Sequence, residues 1–248
     1  MLCRMRASSV TAAARPTRTK ATHQSLREQI IAGALAPSEK LNIAQLACSM
    51  EVSPGAVREA LASLEAEGMV LSQPQRGYTV APVSAEDVTA LTEARVHIEQ
   101  LCVADAMRHG DPDWDRQLLA ALQLLMREGE QANERGLPCP AWSQAHDEFH
   151  RVLVAPCRNP WLLRMREQLY QQSERYRHLS ARAALGTRDV KSEHRKLVKA
   201  ILARDERSVR QLVADHLTRT AALALKGAVG TSSTRSRLQT PPAAAAPT

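Results

Sequence analysis

The strongest constraint on the fold is the order of helix and strand signals in the first third of the chain. Apolar residues at helical spacing predict helices at 21–33 and 43–50, and the sequence EVSP predicts a turn after the second. A third helix is expected to begin at Ser53, a good N-cap residue, with Pro54 at its first position, where the missing N–H costs nothing. Two short strands, MVLSQ and GYTVA, follow as a hairpin.

This order of helix, helix, turn, helix and hairpin is that of a winged helix-turn-helix. Beyond Pro82 the pattern changes, and only helices are predicted, at 84–109, 113–135, 140–155, 160–184, 188–204 and 206–226. We therefore predict a mainly α protein. It comprises a winged helix-turn-helix at 19–82 and an all-α domain at 83–228, between a disordered basic arm (1–18) and a disordered tail (229–248).

Composition narrows the function classes. The net charge is +7, but residues 1–18 carry four Arg and no acidic residue, whereas residues 19–82 carry five Lys/Arg against six Asp/Glu. Net charge alone therefore does not locate a DNA-binding face. Aromatic residues make up only 3%, which argues against the stacking platforms of single-stranded nucleic-acid binders.

The cysteines and the apolar runs indicate the compartment. Five cysteines without a C-x-x-C pair argue against a disulfide framework. No apolar run reaches the roughly 18 residues of a membrane span, and no secretory signal is visible. We expect a cytoplasmic protein that does not associate with a membrane.

The third helix is the predicted DNA-reading element, because the last helix of a helix-turn-helix enters the major groove with its N-terminal residues near the base edges. The candidate DNA-contacting residues are Ser53, Gly55, Arg58, Arg76 and Gly77, the last two at the wing. Arg58 could read guanine or clamp a phosphate. The alternative is a surface ion pair of Arg58 with Glu51 or Glu65.

Four of the eight histidines fall on apolar helical faces: His146, His150, His194 and His216. The first two are four residues apart and share one helix face. One such histidine is usually a core residue, but four pointing inward predict a metal or ligand site, since neutral imidazoles bind divalent transition metals. Two alternatives stay open: a helical metal-dependent hydrolase that uses the same cluster, and a purely structural role in which the histidines hold a metal that stabilises the fold.

One long segment carries a family resemblance. The run LREQIIAGALAPSEKLNIAQLACSMEVSPGAVREALASLEAEGMVLSQPQRGYTVAP resembles the GntR family of bacterial regulators. The resemblance implies binding to a double-stranded DNA operator and supports Arg58, Arg76 and Gly77. Two positions depart from the family pattern: Ser38 replaces the usual Gly, and Pro54 replaces the usual base-contacting Arg. The basic arm could supply compensating phosphate contacts.

The second domain also resembles a known family. Residues 84–226, through EARVHIEQLCVADAM, HDEFHRVLVAPCRNPWL and EHRKLVKAILARDERSVRQLVADHL, resemble the FCD effector domain of the FadR-like branch, an antiparallel helical bundle. Many members hold a metal with one Asp and three His. The three His positions match His150, His194 and His216, and the Asp position is His146 here. The implied four-His set favours Zn²⁺ or Ni²⁺ over harder ions.

The resemblance further implies a small carboxylate effector. Arg95 matches the Arg of the family's first effector-domain helix, and Arg166 and Tyr170 lie on its fourth helix, so these three are the predicted effector-binding residues. The alternatives are an ion pair of Arg95 with Glu99 and core packing of Tyr170. The most similar subgroup is the CsiR-like regulators, which suggests a dicarboxylate such as glutarate. The expected protein is a homodimeric transcriptional repressor or activator and not an enzyme.

Overall fold

The computed structural model describes residues 17–73, 76–128, 139–184 and 188–237. The N-terminal part has three helices, α1 (Arg18–Ile31), α2 (Ile43–Ser49) and α3 (Pro54–Ala66), and three strands, β1 (Lys40–Leu41), β2 (Val70–Gln73) and β3 (Gly77–Val80). The strands pair antiparallel in the order β1-β3-β2. The predicted winged helix-turn-helix is therefore confirmed.

Side-chain caps set the helix starts in this domain. Ser53 caps α3 by accepting a hydrogen bond from the Ala56 amide, with Pro54 at the first helical position as predicted. Thr17 caps α1 through Lys20, so α1 begins at Arg18, inside the segment predicted to be a disordered arm. The rest of that arm, residues 1–16, lies outside the described residues.

In the DNA-binding domain, two non-glycine residues take left-handed backbone angles where the chain turns. Ser38 has φ +65° in the turn before β1, and Glu51 has φ +54° between α2 and α3. An L-residue in this region costs roughly 1 kcal/mol, which glycine avoids. This backbone angle explains why glycine is the usual residue at the position of Ser38 in the family that the sequence resembles. In this chain the amide of Ser38 donates a hydrogen bond to the Val80 carbonyl.

The second domain is all-helical: α4 (Ala85–His109), α5 (Pro112–Glu128), α6 (Pro140–Leu153), α7 (Pro160–Ala184), α8 (Val190–Leu202) and α9 (Glu206–Arg237). The end of the predicted helix at 113–135 falls in 129–138, outside the described residues. One expectation is corrected, because α9 continues to Arg237 and includes the first part of the predicted disordered tail. Extending an existing helix adds one hydrogen bond per residue, so Gly227 and Gly230 do not end it. The remainder, 238–248, is outside the described residues.

Helices α4, α7 and α9 pack against one another, while α5 contacts α6 and α8. The shared core contains Phe149 and Ile201, both fully buried, and the thiol of Cys102, whose pKa burial raises to about 12. Among the described residues, no helix combines the length and apolar character needed to cross a membrane. The histidine-bearing faces of α6, α8 and α9 all turn toward this core.

Candidate DNA interface and metal centre

The N-terminus of α3 is open to solvent. Ser53, Gly55 and Arg58 are all exposed. Within the described ranges Arg58 forms no ion pair, so the predicted surface pair with Glu51 or Glu65 is not present. The Ser53 hydroxyl already accepts the Ala56 amide, which leaves the hydroxyl proton available for a phosphate oxygen.

At the wing, the structure describes one side of the turn between β2 and β3. The Arg76 side chain is exposed, and its amide donates to the Gln73 carbonyl at 2.9 Å. Gly77 has φ +83°, a backbone angle that other residues adopt only under strain. The fold therefore requires Gly77 for its backbone and presents Arg76 outward. Residues 74–75 at the turn lie outside the described ranges.

The structure brings the four predicted histidines together. His146 and His150 come from α6, His194 from α8 and His216 from α9, and all four are buried. One ring nitrogen from each lies within 4.8 Å of those of the others. The Nε2 atoms of His146 and His150 are 3.2 Å apart, as expected for residues one turn apart on a helix.

This cluster is electrostatically unusual for a protein core. Burial, reinforced by the neighbouring imidazoles, lowers the pKa of His150 and His194 well below the usual value, and burial likewise lowers the pKa of His216. For these three rings the lowered pKa favours the neutral form, in which imidazole binds metals. Nε2 of His194 is buried with no hydrogen-bond partner. Such an orphaned polar atom costs roughly 1–3 kcal/mol, which a bound cation would offset.

The donor set fits a transition metal. Tetrahedral zinc with Zn–N bonds of about 2.0–2.1 Å separates its ligand nitrogens by about 3.4 Å, close to the 3.2 Å between the two α6 nitrogens. Asp147 does not belong to the group: its side chain is half-exposed and accepts a hydrogen bond from the Tyr170 hydroxyl. Four neutral nitrogen donors would leave the full +2 charge on Zn²⁺ or Ni²⁺.

The three predicted effector residues lie together, with the two arginines against the ring of Tyr170. The Arg95 and Arg166 guanidinium carbons lie 4.9 Å and 5.5 Å from the ring centroid of Tyr170. Arg166 Nε donates to Glu99 at 2.9 Å, and its Nη2 donates to the carbonyl of His150 at 2.8 Å. The ion pair of Arg95 with Glu99, the alternative considered from the sequence, is also present, because Nη2 of Arg95 lies 3.6 Å from the Glu99 carboxylate. Two cations thus share one buried carboxylate beside the histidines.

Two cavities adjoin these residues. A cleft of about 370 Å³ between α1, α6 and α7 is lined by Arg27, Asp147, Arg166 and Tyr170, among others. The cavity beside Arg95 measures about 20 Å³ and would hold a single water molecule. The cleft has room for a small organic molecule, and its lining carries both arginines and carboxylates, whereas the cavity beside Arg95 has no such room.

Helix α7 connects this region to the DNA-binding domain. The Gln172 amide donates to the carbonyl of Glu67, which caps the C-terminus of α3, and Gly68 beside it leaves room for that side chain. Arg175 Nη2 donates to the carbonyls of Ala81 at 2.5 Å and Pro82 at 3.1 Å. Helix α7, which carries Arg166 and Tyr170, therefore also hydrogen-bonds to the winged domain at two places, just after α3 and just after β3.

Sequence reasoning missed two groups of residues here. Glu193 Oε2 lies 2.9 Å from Nδ1 of His216, and Arg188 binds Glu193, but neither had been identified as a candidate. Glu193 directly precedes a predicted ligand, and that proximity was the only available signal. The contacts of Gln172 and Arg175 bridge two domains, and no local pattern reports such contacts.

Comparison with known proteins agrees with this architecture. Residues 18–80 match the family described as bacterial regulatory proteins, gntR family, and residues 90–219 match the FCD domain. The chain is 35% identical over 203 residues to the HTH-type transcriptional regulator BphR of Paraburkholderia xenovorans, covering 80% of this chain and 81% of BphR. It is 34% identical over 197 residues to the HTH-type transcriptional repressor GlaR of Escherichia coli, covering 77% of this chain and 89% of GlaR.

Solved structures show the same fold. Escherichia coli McbR/YncC superposes with a TM-score of 0.66 at 22% identity, covering 86% of this chain and 99% of that one. A GntR regulator from Rhodococcus sp. RHA1 gives 0.66 at 23% identity, covering 85% and 99%. The matched relatives are transcriptional regulators, which argues against the hydrolase alternative. The chain belongs to the GntR family, with an FCD domain behind its winged helix-turn-helix, and is a DNA-binding transcriptional regulator.

Proposed function

We propose that this regulator binds a divalent transition metal, Zn²⁺ or Ni²⁺, through His146, His150, His194 and His216, and that a small carboxylate effector alters its operator binding. The observation that carries the proposal is the convergence of four buried imidazoles beside α7, the helix that contacts the winged domain. The bound metal would supply a positive charge able to attract an anionic ligand.

Two arginines near the cluster support an acidic effector. Arg95 and Arg166 both contact Glu99, so among the contacts described two cations meet one buried carboxylate. A carboxylate could replace Glu99 as the partner of Arg166, which lines the 370 Å³ cleft. Tyr170, in the same lining, donates its hydroxyl to Asp147 and could redirect that hydrogen bond to a second carboxylate. A dicarboxylate such as glutarate, as in the CsiR-like interpretation, fits this arrangement.

The remaining parts of the proposal concern assembly and regulation. By analogy with GlaR, a relative named as a repressor, we propose repression from a cytoplasmic homodimer. Trp161 and Met165 lie one turn apart on α7 with exposures of 65% and 46%. Large exposed apolar side chains of this kind are typical of association surfaces.

An operator-binding titration tests the effector. With zinc-loaded protein and a duplex selected by this protein from a random pool, we expect glutarate or a related dicarboxylate to weaken binding by about 5–150-fold, a coupling of about 1–3 kcal/mol. Metal-stripped protein is the control and should lose the response. If no small acid changes operator affinity, the effector part of the proposal is wrong. Turnover in a hydrolase panel would instead support the enzyme alternative.

Coupling between the domains gives a separate prediction. Replacing Arg175 by Ala removes the charged donor that holds the carbonyls of Ala81 and Pro82. Such a hydrogen bond contributes about 1.5 kcal/mol, so the effector-induced change in operator affinity should shrink by about tenfold. Metal content should stay unchanged. Gln168→Ala, an exposed change on the same helix, is the matched control. An undiminished effector response in Arg175→Ala would show that this contact does not transmit the signal.

A further inference from the structure

Glu193 is a partly buried carboxylate positioned against one of the four clustered histidines. It lies on α8 directly before His194, yet its side chain reaches across to His216 on α9, where Oε2 is 2.9 Å from Nδ1. The Glu193 side chain is 14% exposed. One turn of α8 therefore supplies both a candidate ligand and a partner for a candidate ligand on another helix.

Arg188 holds this carboxylate in place. Its Nη2 and Nε donate to the two Glu193 oxygens at 2.5 Å and 2.9 Å, a fork that fixes both position and tilt. Arg188 is itself anchored by Thr220 Oγ1 at 2.8 Å and by the carbonyl of His216 at 3.0 Å. Arg219 reaches the same carboxylate at 3.3 Å from the solvent side. The carboxylate has little freedom to rotate away from the imidazole.

This arrangement determines which nitrogen of His216 faces the cluster. A carboxylate can only accept a hydrogen bond, so Nδ1 carries the proton and Nε2 keeps its lone pair. Arg188 Nη2 also lies 3.2 Å from Nδ1, but it cannot donate to a protonated nitrogen, and the carboxylate contact is shorter. His194 shows the same pattern, because its ring hydrogen-bonds the Val190 backbone while its Nε2 stays unpartnered.

We infer that Glu193, held by Arg188, is a positioning residue that keeps His216 in the tautomer and orientation required for metal binding. The inference rests on the proposed metal site. Carboxylate partners of ligating histidines orient the ring and make it more basic, and losing one typically weakens metal affinity by about 10–100-fold. The pair thus contributes to affinity without touching the ion.

The test compares zinc affinities by competition with a chromophoric chelator in the full chain. Glu193→Gln keeps the size of the side chain and loses the charge, and it should bind zinc about 10–100-fold more weakly than the parent. Arg219→Gln is the matched control, because it contacts the same carboxylate from an exposed position and should bind within about twofold. Cobalt-loaded Glu193→Gln should show a shifted visible absorption band, which a purely structural effect would leave unchanged.

A second variant covers the case in which Glu193→Gln does not fold. Arg188→Lys keeps the positive charge but loses the two-point fork, and it should weaken zinc binding in the same direction. Parental zinc affinity in whichever of these two variants folds would overturn the inference.

The metal site itself is tested by His150→Ala. If that variant also binds zinc like the parent, the proposed metal site is wrong. If zinc affinity is lost in His150→Ala alone, only the role of Glu193 is rejected.

Discussion

His150→Ala should abolish stoichiometric metal binding, which in the parent we expect at about one ion per chain. Four-ligand zinc sites have apparent binding free energies of about 10–16 kcal/mol, so one ligand accounts for roughly 3 kcal/mol and its loss for a factor of at least about 100. His150 lies close to all three other rings, with ring-to-ring distances of 4.5 Å to His146 and 5.5 Å to both His194 and His216.

Metal analysis and thermal melts with and without chelator check this prediction. A ligand present at 1,000 times its dissociation constant stabilises the fold by about 4 kcal/mol, so chelation should lower the melting temperature of the parent by several degrees. The chelator should have no effect on His150→Ala. Comparing the chelator effect within each variant removes the contribution of the cavity that the alanine leaves.

His97→Ala is the matched control, because His97 is an exposed histidine on α4 outside the cluster. It should keep both the metal and the chelator effect. If His150→Ala keeps its metal, the ligand assignment is wrong. If the parent itself binds none, the cluster is an empty polar core, and both the proposed site and the structural-metal alternative are wrong.

Arg58→Ala should weaken operator binding by about 10–100-fold, corresponding to 1–3 kcal/mol for a contact to a base edge. The exposed side chain at the start of α3 has no ion-pair partner within the described ranges, so its removal should leave the fold intact. The effect should be large because Pro54 stands where the family usually places a second arginine, which leaves Arg58 with a greater share of the recognition.

Fluorescence anisotropy with the selected duplex and with a scrambled duplex measures this effect at several salt concentrations. A base contact predicts loss of discrimination with an unchanged salt dependence, whereas a phosphate contact predicts weaker binding to both duplexes and a salt slope lower by about 1. Lys196→Ala, an exposed charge removal on α8, is the control and should bind like the parent. Parental affinity in Arg58→Ala would exclude this residue from the interface.

Local signals in the sequence determined the DNA-binding domain. Ser53 and Pro54 begin α3 where N-cap chemistry predicts, and the hairpin follows as expected. These features depend on residues within a few positions of one another, so a linear reading captures them. The end of α9 was misjudged because glycines weaken a helix by only about 1 kcal/mol each, which an established helix tolerates.

The sequence also identified the four histidines, since helical periodicity places each on an apolar face. Only the tertiary structure decided that faces from three different helices meet with their nitrogens within 4.8 Å. Only the tertiary structure showed that Glu193 contacts His216 and that Arg95 and Arg166 share Glu99. It also showed that Arg175 hydrogen-bonds to the winged domain. The physical reason is that periodicity fixes the direction of a side chain about its own helix axis, whereas these contacts depend on how separate helices are placed in space.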